Sequence, residues 1–406
     1  MTDPVIIVGG SLGGLRTAES LRRSGYSGPI RVFGEEPHAP YNRPPLSKEV
    51  LAERVDHAAV AFPQGDTTAD VEWILGTRVD HIDLGRNIVR DNRGEEHSYS
   101  GVVVATGLRS RHMDLPAMPT SGVHSVRSLD DAMALRAVLT PGTRIVIYGA
   151  GFIGCEVAAT AKKLGVDVIV VGKGPVPLLR PLGVQLASDI QARHEAHGVK
   201  FFMNSKITRV IGGDRVESVL LDNGVEIWCN AFVEAIGSEP NVELLHGNDV
   251  DIEHGIRVDD NLRITRADGT PWPNAFAVGD VARFPIPRFS DRVRRVEHWN
   301  IPTEMSRKVG KVLSASLAGS AELEDEITKA FDPIPTFWSD QFELSLLAYG
   351  LIDEADRVEL LEGRENDDCV YGYFCGDDLV GVCGVGMRSA VMAYRSRVGR
   401  KPASAS

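Results

Sequence analysis

The sequence predicts an α/β protein with two Rossmann-like units and a smaller α+β domain at its carboxyl end. Three observations predict it. A short apolar strand, a glycine-rich turn and a helix stand near the amino terminus, and the same arrangement returns about 140 residues later. Beyond Pro333 and Pro335 the pattern turns to short strands with turn signals between them.

The first unit opens with Val5-Ile6-Ile7-Val8, which runs into Gly9-Gly10-Ser11-Leu12-Gly13-Gly14. Leu12, Leu15, Ala18 and Leu21 recur at helical spacing as far as Gly25, a residue suited to the C′ position. A second strand, Ile30 to Phe33, ends at Glu35 and Glu36. In such a unit the helix N-terminus holds a pyrophosphate, and the acid after the second strand accepts from ribose hydroxyls. Gly9, Ser11, Leu12, Gly14 and Glu35 are therefore candidate cofactor contacts. Ser11 takes the middle glycine position of G-x-G-x-x-G and is small enough for close approach.

Next comes Tyr41-Asn42-Arg43-Pro44-Pro45-Leu46-Ser47-Lys48. Pro40, Pro44 and Pro45 fix φ and delay any regular strand or helix. Ser47 is placed to cap a helix beginning near Lys48. A stiff segment here lays two cations, Arg43 and Lys48, beside whatever the first unit binds.

The second unit carries the complete motif. Arg144 to Tyr148 leads into Gly149-Ala150-Gly151-Phe152-Ile153-Gly154, then a helix with Ile153, Val157, Ala161 and Leu164 on one face, Gly165, and a strand from Val166 to Val171. Two dinucleotide-binding folds in one chain imply two dinucleotides held at once. Farther on, Ala318-Gly319-Ser320 and the acidic run from Glu322 to Glu326 read as a linker. Cys369 to Cys375, a Gly376-Asp377-Asp378 turn and Leu379 to Val385 read as a hairpin.

Bulk properties narrow the function. A chain of 406 residues exceeds one hydrophobic core, so two or three domains are expected. A net charge of −12 argues against a general nucleic-acid binder. No apolar run approaches the roughly 18 residues of a membrane span, and Val5 to Val8 is too short, and lacks a preceding basic region, for a signal peptide. A cytoplasmic protein is expected. The five cysteines form no C-x-x-C pair, which favours free, buried thiols in a reducing compartment. His194 and His197, with Glu195 between them, read as part of a surface helix, and no metal site is expected.

In order along the chain, these motifs resemble those of the FAD-dependent pyridine-nucleotide oxidoreductases. Within them they resemble the ferredoxin reductases that serve Rieske oxygenases and cytochromes P450, with apoptosis-inducing factor a more distant relative. The resemblance covers nearly the whole chain. It rests on the first glycine turn with Glu35, on Pro40 to Lys48, on Ala105-Thr106-Gly107 and on Gly149 to Glu156. It rests also on Ala235 to Asn241, Ala277 to Ala282, Glu297 to Asn300 and Phe337 to Gln341.

The resemblance implies a discontinuous FAD domain at 1–115 and 241–323, an NAD(P)-binding domain at 116–240, and a carboxy-terminal interface domain at 324–406. It adds Ala105, Thr106, Gly107 and Gly279 to the FAD contacts, with Asp280 on the ribityl chain. Gly149, Gly151, Phe152, Ile153, Gly154, Glu156, Lys173 and Gly237 face NAD(P). Lys48 and Glu156, in different domains on this map, are implied to pair beside the flavin N5, where nicotinamide arrives. Arg43 and Arg127 face the FAD pyrophosphate or ring edge. Trp299 is implied on the nicotinamide side of the flavin and Trp338 near its exposed edge. Lys48, Glu156 and Trp299 are the candidate catalytic residues.

The implied activity is electron transfer from NAD(P)H through FAD to a [2Fe–2S] ferredoxin that supplies an oxygenase or cytochrome P450, by a monomer or homodimer. A rubredoxin reductase, an NADH oxidase and a redox-sensing interaction protein are the alternatives. A disulfide reductase needs a redox cysteine near the flavin, but the Asn42 segment has none and Cys155 is the first in the chain. After Val171, where an acid selects NADH through the ribose 2′-hydroxyl, stands Gly172-Lys173-Gly174. NADPH is therefore expected to be accepted better than by a relative with that acid. Finally, Arg283, Arg288, Arg292, Arg294, Arg295, Arg307, Lys308 and Lys311 face only Asp291, Glu297 and Glu304 over the same stretch. This patch either steers an acidic ferredoxin or is a solvated basic face.

Overall fold

The structure is a computed structural model and describes residues 3–53, 55–63, 65–320 and 322–399. It divides into two compact units, Met1–Asn42 with Ala61–Arg109 and Glu239–Thr336, and Arg43–Val60 with Ser110–Ser238 and Phe337–Ser406.

In the first unit, β1 (Val5–Val8) is buried along its whole length, as a parallel strand covered on both faces must be. It pairs in parallel with β2 (Ile30–Gly34) and with Gly101–Val104. The full sheet runs Arg263–Thr265, Pro271–Ala277, Gly101–Val104, β1, β2, Glu72–Leu75, and the outermost strand, Arg263–Thr265, is antiparallel to its neighbour. Between β1 and β2, α1 (Leu12–Arg23) turns Leu15, Ala18 and Leu21 inward. It ends at Ser24, and Gly25 follows at φ 87°, the left-handed C′ position. The long helix Asn300–Ala318 lies against α1. Its Gly310 permits this contact, because a Cβ there would stand 2.6 Å from that of Ser20.

The second unit repeats the scheme. Its parallel sheet runs Lys200–Phe202, β4 (Asp167–Val171), β3 (Arg144–Tyr148), Ala231–Glu234, Val123–His124, and α2 (Phe152–Lys163) connects β3 to β4. In α2, Val157 and Ala161 are buried as expected, but Ile153 is 44% exposed because it lies in the first turn, ahead of the buried stretch. After α3 (Leu179–Ala196) and a small antiparallel sheet, the carboxy-terminal part forms five strands. Their order is β5 (Thr336–Gln341), Leu344–Gly350, Asp378–Val385, Cys369–Cys375, Arg357–Gly363. The hairpin falls where the sequence places it. Leu182, Leu186 and Ile190 of α3 share a core with Leu346, Tyr371, Tyr373 and Val385 of this sheet. The buried Tyr373 hydroxyl finds its partner in the Leu182 carbonyl at 2.8 Å.

Two local expectations are corrected. Pro44 and Pro45 do not delay helical structure: they open a 3₁₀ turn, Pro44–Ser47, where a proline's missing N–H costs nothing. The helix that follows, Glu49–Ala52, is entered from Lys48, so Ser47 is not its cap. The acidic run is likewise no extended linker but a short helix, Glu322–Ile327. Glutamate and leucine favour helix, and acids suit a first turn.

The two glycine turns set a strict steric demand. A Cβ on Gly154 would meet the Gly149 carbonyl oxygen at 2.0 Å, whereas one on Gly151 meets nothing within 4 Å. Gly154→Ala is expected to cost about 2–3 kcal/mol in thermal or urea unfolding, and Gly151→Ala close to nothing. Equal stabilities would contradict this packing.

Candidate functional site

In the first unit the candidate residues gather at the carboxyl ends of four neighbouring parallel strands, where open α/β sheets bind ligands. Gly9 follows β1 at φ 127°, and a Cβ on it would lie 2.2 Å from the Ala105 carbonyl oxygen. A Cβ on Gly14 would lie 2.0 Å from the Gly9 oxygen. Ser11 is the N-cap of α1, whose first turn carries no acid, so Leu12 and its neighbours present free N–H groups to an anion. Glu35 follows β2 as an exposed carboxylate, 3.8 Å from Arg78. Thr106 is pinned by Asn241: its hydroxyl donates to the Asn241 carbonyl at 2.7 Å, and the Asn241 amide donates back to the Thr106 carbonyl at 3.0 Å. The Asn241 N–H completes the clasp on the Gly107 carbonyl at 3.1 Å. Gly279 and half-buried Asp280 sit in the 3₁₀ turn just past Pro271–Ala277. The Trp299 indole N–H donates to Asn42 at 3.1 Å, which fixes a ring that is still 39% exposed.

The second unit has the same geometry. A Cβ on Gly149 would stand 2.0 Å from the Ala235 oxygen, and the open space beside Gly151 is where a pyrophosphate can approach backbone. No acid occupies the first turn of α2. The turn-and-helix residues thus fit one dinucleotide in each unit. Phe152 packs its ring on Phe337, centroids 5.1 Å apart, while Ile153 stays exposed. Gly237 takes φ 103° with nothing near a Cβ, and its carbonyl accepts from the Arg111 N–H at 3.0 Å. Beyond β4, Gly172 is walled in: a Cβ would meet Met203 Cε at 2.7 Å and Ala150 Cβ at 3.1 Å. Lys173 is exposed, its ammonium 5.8 Å from the centre of the Tyr148 ring.

Lys48 and Glu156 do pair, at 2.7 Å, and they belong to the same compact unit, since Arg43–Val60 goes with the second. Glu156 is 4% exposed. Burial of an ionised carboxylate requires full hydrogen bonding. Besides Lys48 it accepts from the Ser47 hydroxyl at 2.5 Å and the Ser339 hydroxyl at 2.6 Å. Lys48 also donates to the Pro44 carbonyl at 3.3 Å. The role of Ser47, lost as a cap, is therefore to satisfy Glu156, and Thr160 in turn holds the Ser47 carbonyl at 2.9 Å. Sequence reasoning gave Ser47 only the role of a cap and did not single out Ser339, although Ser339 lies inside the Phe337–Gln341 motif. Arg43 reaches the Arg127 carbonyl at 2.6 Å, next to the capping box that Ser128 and Asp131 form on the helix Leu129–Val138. Trp338 is half-buried on β5.

Two sequence expectations weaken. His194 is no surface residue but 1% exposed, with Nε2 2.7 Å from the Gln341 side-chain oxygen, while His197 stacks on Phe342 at 3.9 Å. Of the eight basic residues in the stretch, four are ion-paired: Arg283 with Asp251 at 2.6 Å, Arg288 with Asp332 at 3.0 Å, Arg295 with Glu297 at 3.0 Å and Lys311 with Glu326 at 3.6 Å. Those acids lie mostly outside the stretch, so counting charge within it overstated the field. Among the described residues no helix is long and apolar enough to cross a membrane.

Comparison with known proteins matches residues 3–305 to the pyridine nucleotide-disulphide oxidoreductase model and 336–405 to the reductase C-terminal model. The rubredoxin-NAD(+) reductase of Ectopseudomonas oleovorans is 33% identical over 89% of this chain and 90% of its own length. The ferredoxin–NAD(+) reductase component of the biphenyl dioxygenase system of Paraburkholderia xenovorans is 33% identical over 84% of this chain and 79% of its own. Among solved structures, the ferredoxin reductase for the CYP199A2 system of Rhodopseudomonas palustris superposes with a TM-score of 0.87 at 31% identity, covering 97% of this chain and 94% of that one.

The word disulphide in the first match does not describe the thiols found here. Burial pushes Cys155 and Cys229 up to about 12 and Cys369 up to about 11, and raises Cys383 as well. Cys375 alone is half-buried. In native protein at neutral pH, one thiol is expected to react quickly with an aromatic disulfide reagent, and Cys375→Ser should abolish that phase. A second fast thiol would contradict the burial.

Proposed function

The chain belongs to the pyridine nucleotide-disulphide oxidoreductase family, and from that premise we propose how its residues serve a ferredoxin–NAD(+) reductase. It is an FAD flavoprotein that takes electrons from NADH and delivers them to a ferredoxin. FAD supplies the junction chemistry, accepting two electrons from nicotinamide and releasing them singly to an iron–sulfur cluster. The observation that carries the reading is the buried Lys48–Glu156 pair, in a chain that has a glycine-rich turn of dinucleotide-binding geometry in each unit.

Residues 1–115 and 241–323 hold FAD, 116–240 hold the nicotinamide nucleotide, and 324–406 form the partner-facing domain. Gly9, Ser11, Leu12 and Gly14 take the FAD pyrophosphate, Glu35 the ribose, Ala105 to Gly107 the strand edge beside it, and Gly279 and Asp280 the ribityl chain. Arg43 and Arg127 add positive charge along it. Gly149, Gly151, Phe152, Ile153, Gly154 and Gly237 receive the nicotinamide nucleotide. Lys48 supplies a fixed cation where negative charge develops on the flavin ring, and Glu156 keeps that cation oriented. Trp299 and Trp338 bound the ring. The acceptor is a [2Fe–2S] protein, the chain works in the cytoplasm, and it is a monomer or homodimer. A rubredoxin is the second reading, favoured by the 33% identical rubredoxin-NAD(+) reductase.

Anaerobic stopped-flow mixing with NADH and then with ferredoxin or rubredoxin tests these assignments. Lys48→Met is expected to retain FAD yet slow the NADH-driven bleaching about 100-fold. An unchanged rate would remove Lys48 from the reaction. Cytochrome c turnover that ferredoxin accelerates and rubredoxin does not supports the first acceptor, and the reverse supports the second.

Nucleotide choice is a separate matter. No acid follows β4, where Gly172 and the exposed Lys173 stand instead, the Lys173 ammonium 5.8 Å from the centre of the Tyr148 ring. NADPH should therefore be used within about 100-fold of NADH in kcat/KM, and Lys173→Glu should widen the gap about tenfold. A native preference for NADH above that limit would reject this assignment.

A further inference from the structure

Lys48 and Glu156 are the near end of a longer hydrogen-bond chain that lies wholly within the second unit. From the Glu156 oxygen that does not face Lys48, the Ser339 hydroxyl is 2.6 Å away and donates to it. The Gln341 side-chain amide donates to that same hydroxyl oxygen at 3.0 Å. The Gln341 side-chain oxygen then meets His194 Nε2 at 2.7 Å. Ser339, Gln341 and His194 are exposed by 0%, 1% and 1%. Ser339 and Gln341 are two residues apart on β5, so both side chains leave the same face of the strand.

The chemistry of each member gives the chain one direction. An amide oxygen only accepts, so His194 must carry its proton on Nε2 and donate to Gln341. Its Nδ1 is buried with no hydrogen-bond partner, which suits the bare lone pair of that neutral tautomer. Burial also pushes the imidazole below its ordinary titration range, which keeps it neutral. With the Gln341 oxygen occupied by His194, its amide N–H turns to Ser339, and the Ser339 proton is left for Glu156. Every donor therefore points toward the carboxylate. An amide cannot pass a proton on, so the chain orients and polarises rather than conducts.

We infer that Ser339, Gln341 and His194 are positioning residues that lock the Glu156 carboxylate, through one oxygen, so that its other oxygen holds the Lys48 ammonium in place. This rests on the proposed role of Lys48. The carboxylate can rotate about its own bond, and a hydroxyl on each side stops it: Ser339 on one oxygen, Ser47 on the other. A core that needed only satisfied polar atoms would not require this polarity to run across α3, β5 and α2 to the one lysine of the cluster.

The test uses the FAD-loaded protein and two readouts. The first is the acetylation rate of Lys48 under a pulse of acetic anhydride, read by peptide mass spectrometry. The second is anaerobic flavin reduction by NADH, with nucleotide affinity measured separately. Ser339→Ala and Gln341→Leu should acetylate Lys48 at least about threefold faster and reduce flavin about tenfold more slowly at unchanged nucleotide affinity. Ser339→Thr, which restores the hydroxyl, should return both values to native. His194→Phe keeps the aromatic contacts with Phe201 and Phe342, so it separates lost donation from lost packing and should move both readouts the same way. Unchanged acetylation in Ser339→Ala and Gln341→Leu would overturn the inference, as would faster acetylation with native reduction rates. Native protein whose flavin NADH fails to reduce would instead sink the proposed function, and the acetylation comparison would still decide the chain.

Discussion

A carboxylate buried to 4% exposure is the constraint around which the second unit is arranged. Left alone in that position Glu156 would carry a desolvation cost of several kcal/mol. Three groups offset it, and they come from widely separated parts of the sequence: Ser47 and Lys48 from the proline segment, and Ser339 from the carboxy-terminal sheet. Each must be placed by its own backbone. Pro44 and Pro45 tighten the chain into the 3₁₀ turn that brings Ser47 and Lys48 to adjacent positions on the carboxylate. β5 brings Ser339, and the core shared by α3 and the carboxy-terminal sheet keeps β5 in register with α2. The result is a polar cluster in a core that apolar packing would stabilise better.

The glycine turns obey a different constraint, close backbone approach. Gly9 with Gly14 and Gly149 with Gly154 reproduce one geometry, a carbonyl within 2.2 Å of where a Cβ would be, in units that share the same strand–turn–helix path. Such turns expose helix N–H groups without an acid beside them, which makes both helix ends suited to phosphate. The residue after the second strand then separates the two: Glu35 in the first unit, Gly172 and Lys173 in the second.

Legibility followed the range of the interactions. The βαβ units, the carboxy-terminal hairpin and the glycine turns were readable because periodicity and turn chemistry are local. The Lys48–Glu156 pair was readable only through resemblance, since nothing local joins residues so far apart in the chain. Ser47 looked like a cap because its neighbours are helix-like, yet a buried carboxylate outbid the backbone for its hydroxyl. The depth of His194 depends on Gln341 and Phe342, which reach it only after folding. The ion partners of the basic stretch were hidden for the same reason, as Asp251, Asp332 and Glu326 approach it from elsewhere.

Flavin reduction by a nicotinamide nucleotide is the central event of the proposed function. The visible spectrum of the purified protein, before and after one equivalent of NADH under anaerobic conditions, tests it most directly. A yellow protein whose flavin band bleaches with that equivalent is the predicted result. A protein that is colourless, and stays so after incubation with FAD, would contradict it.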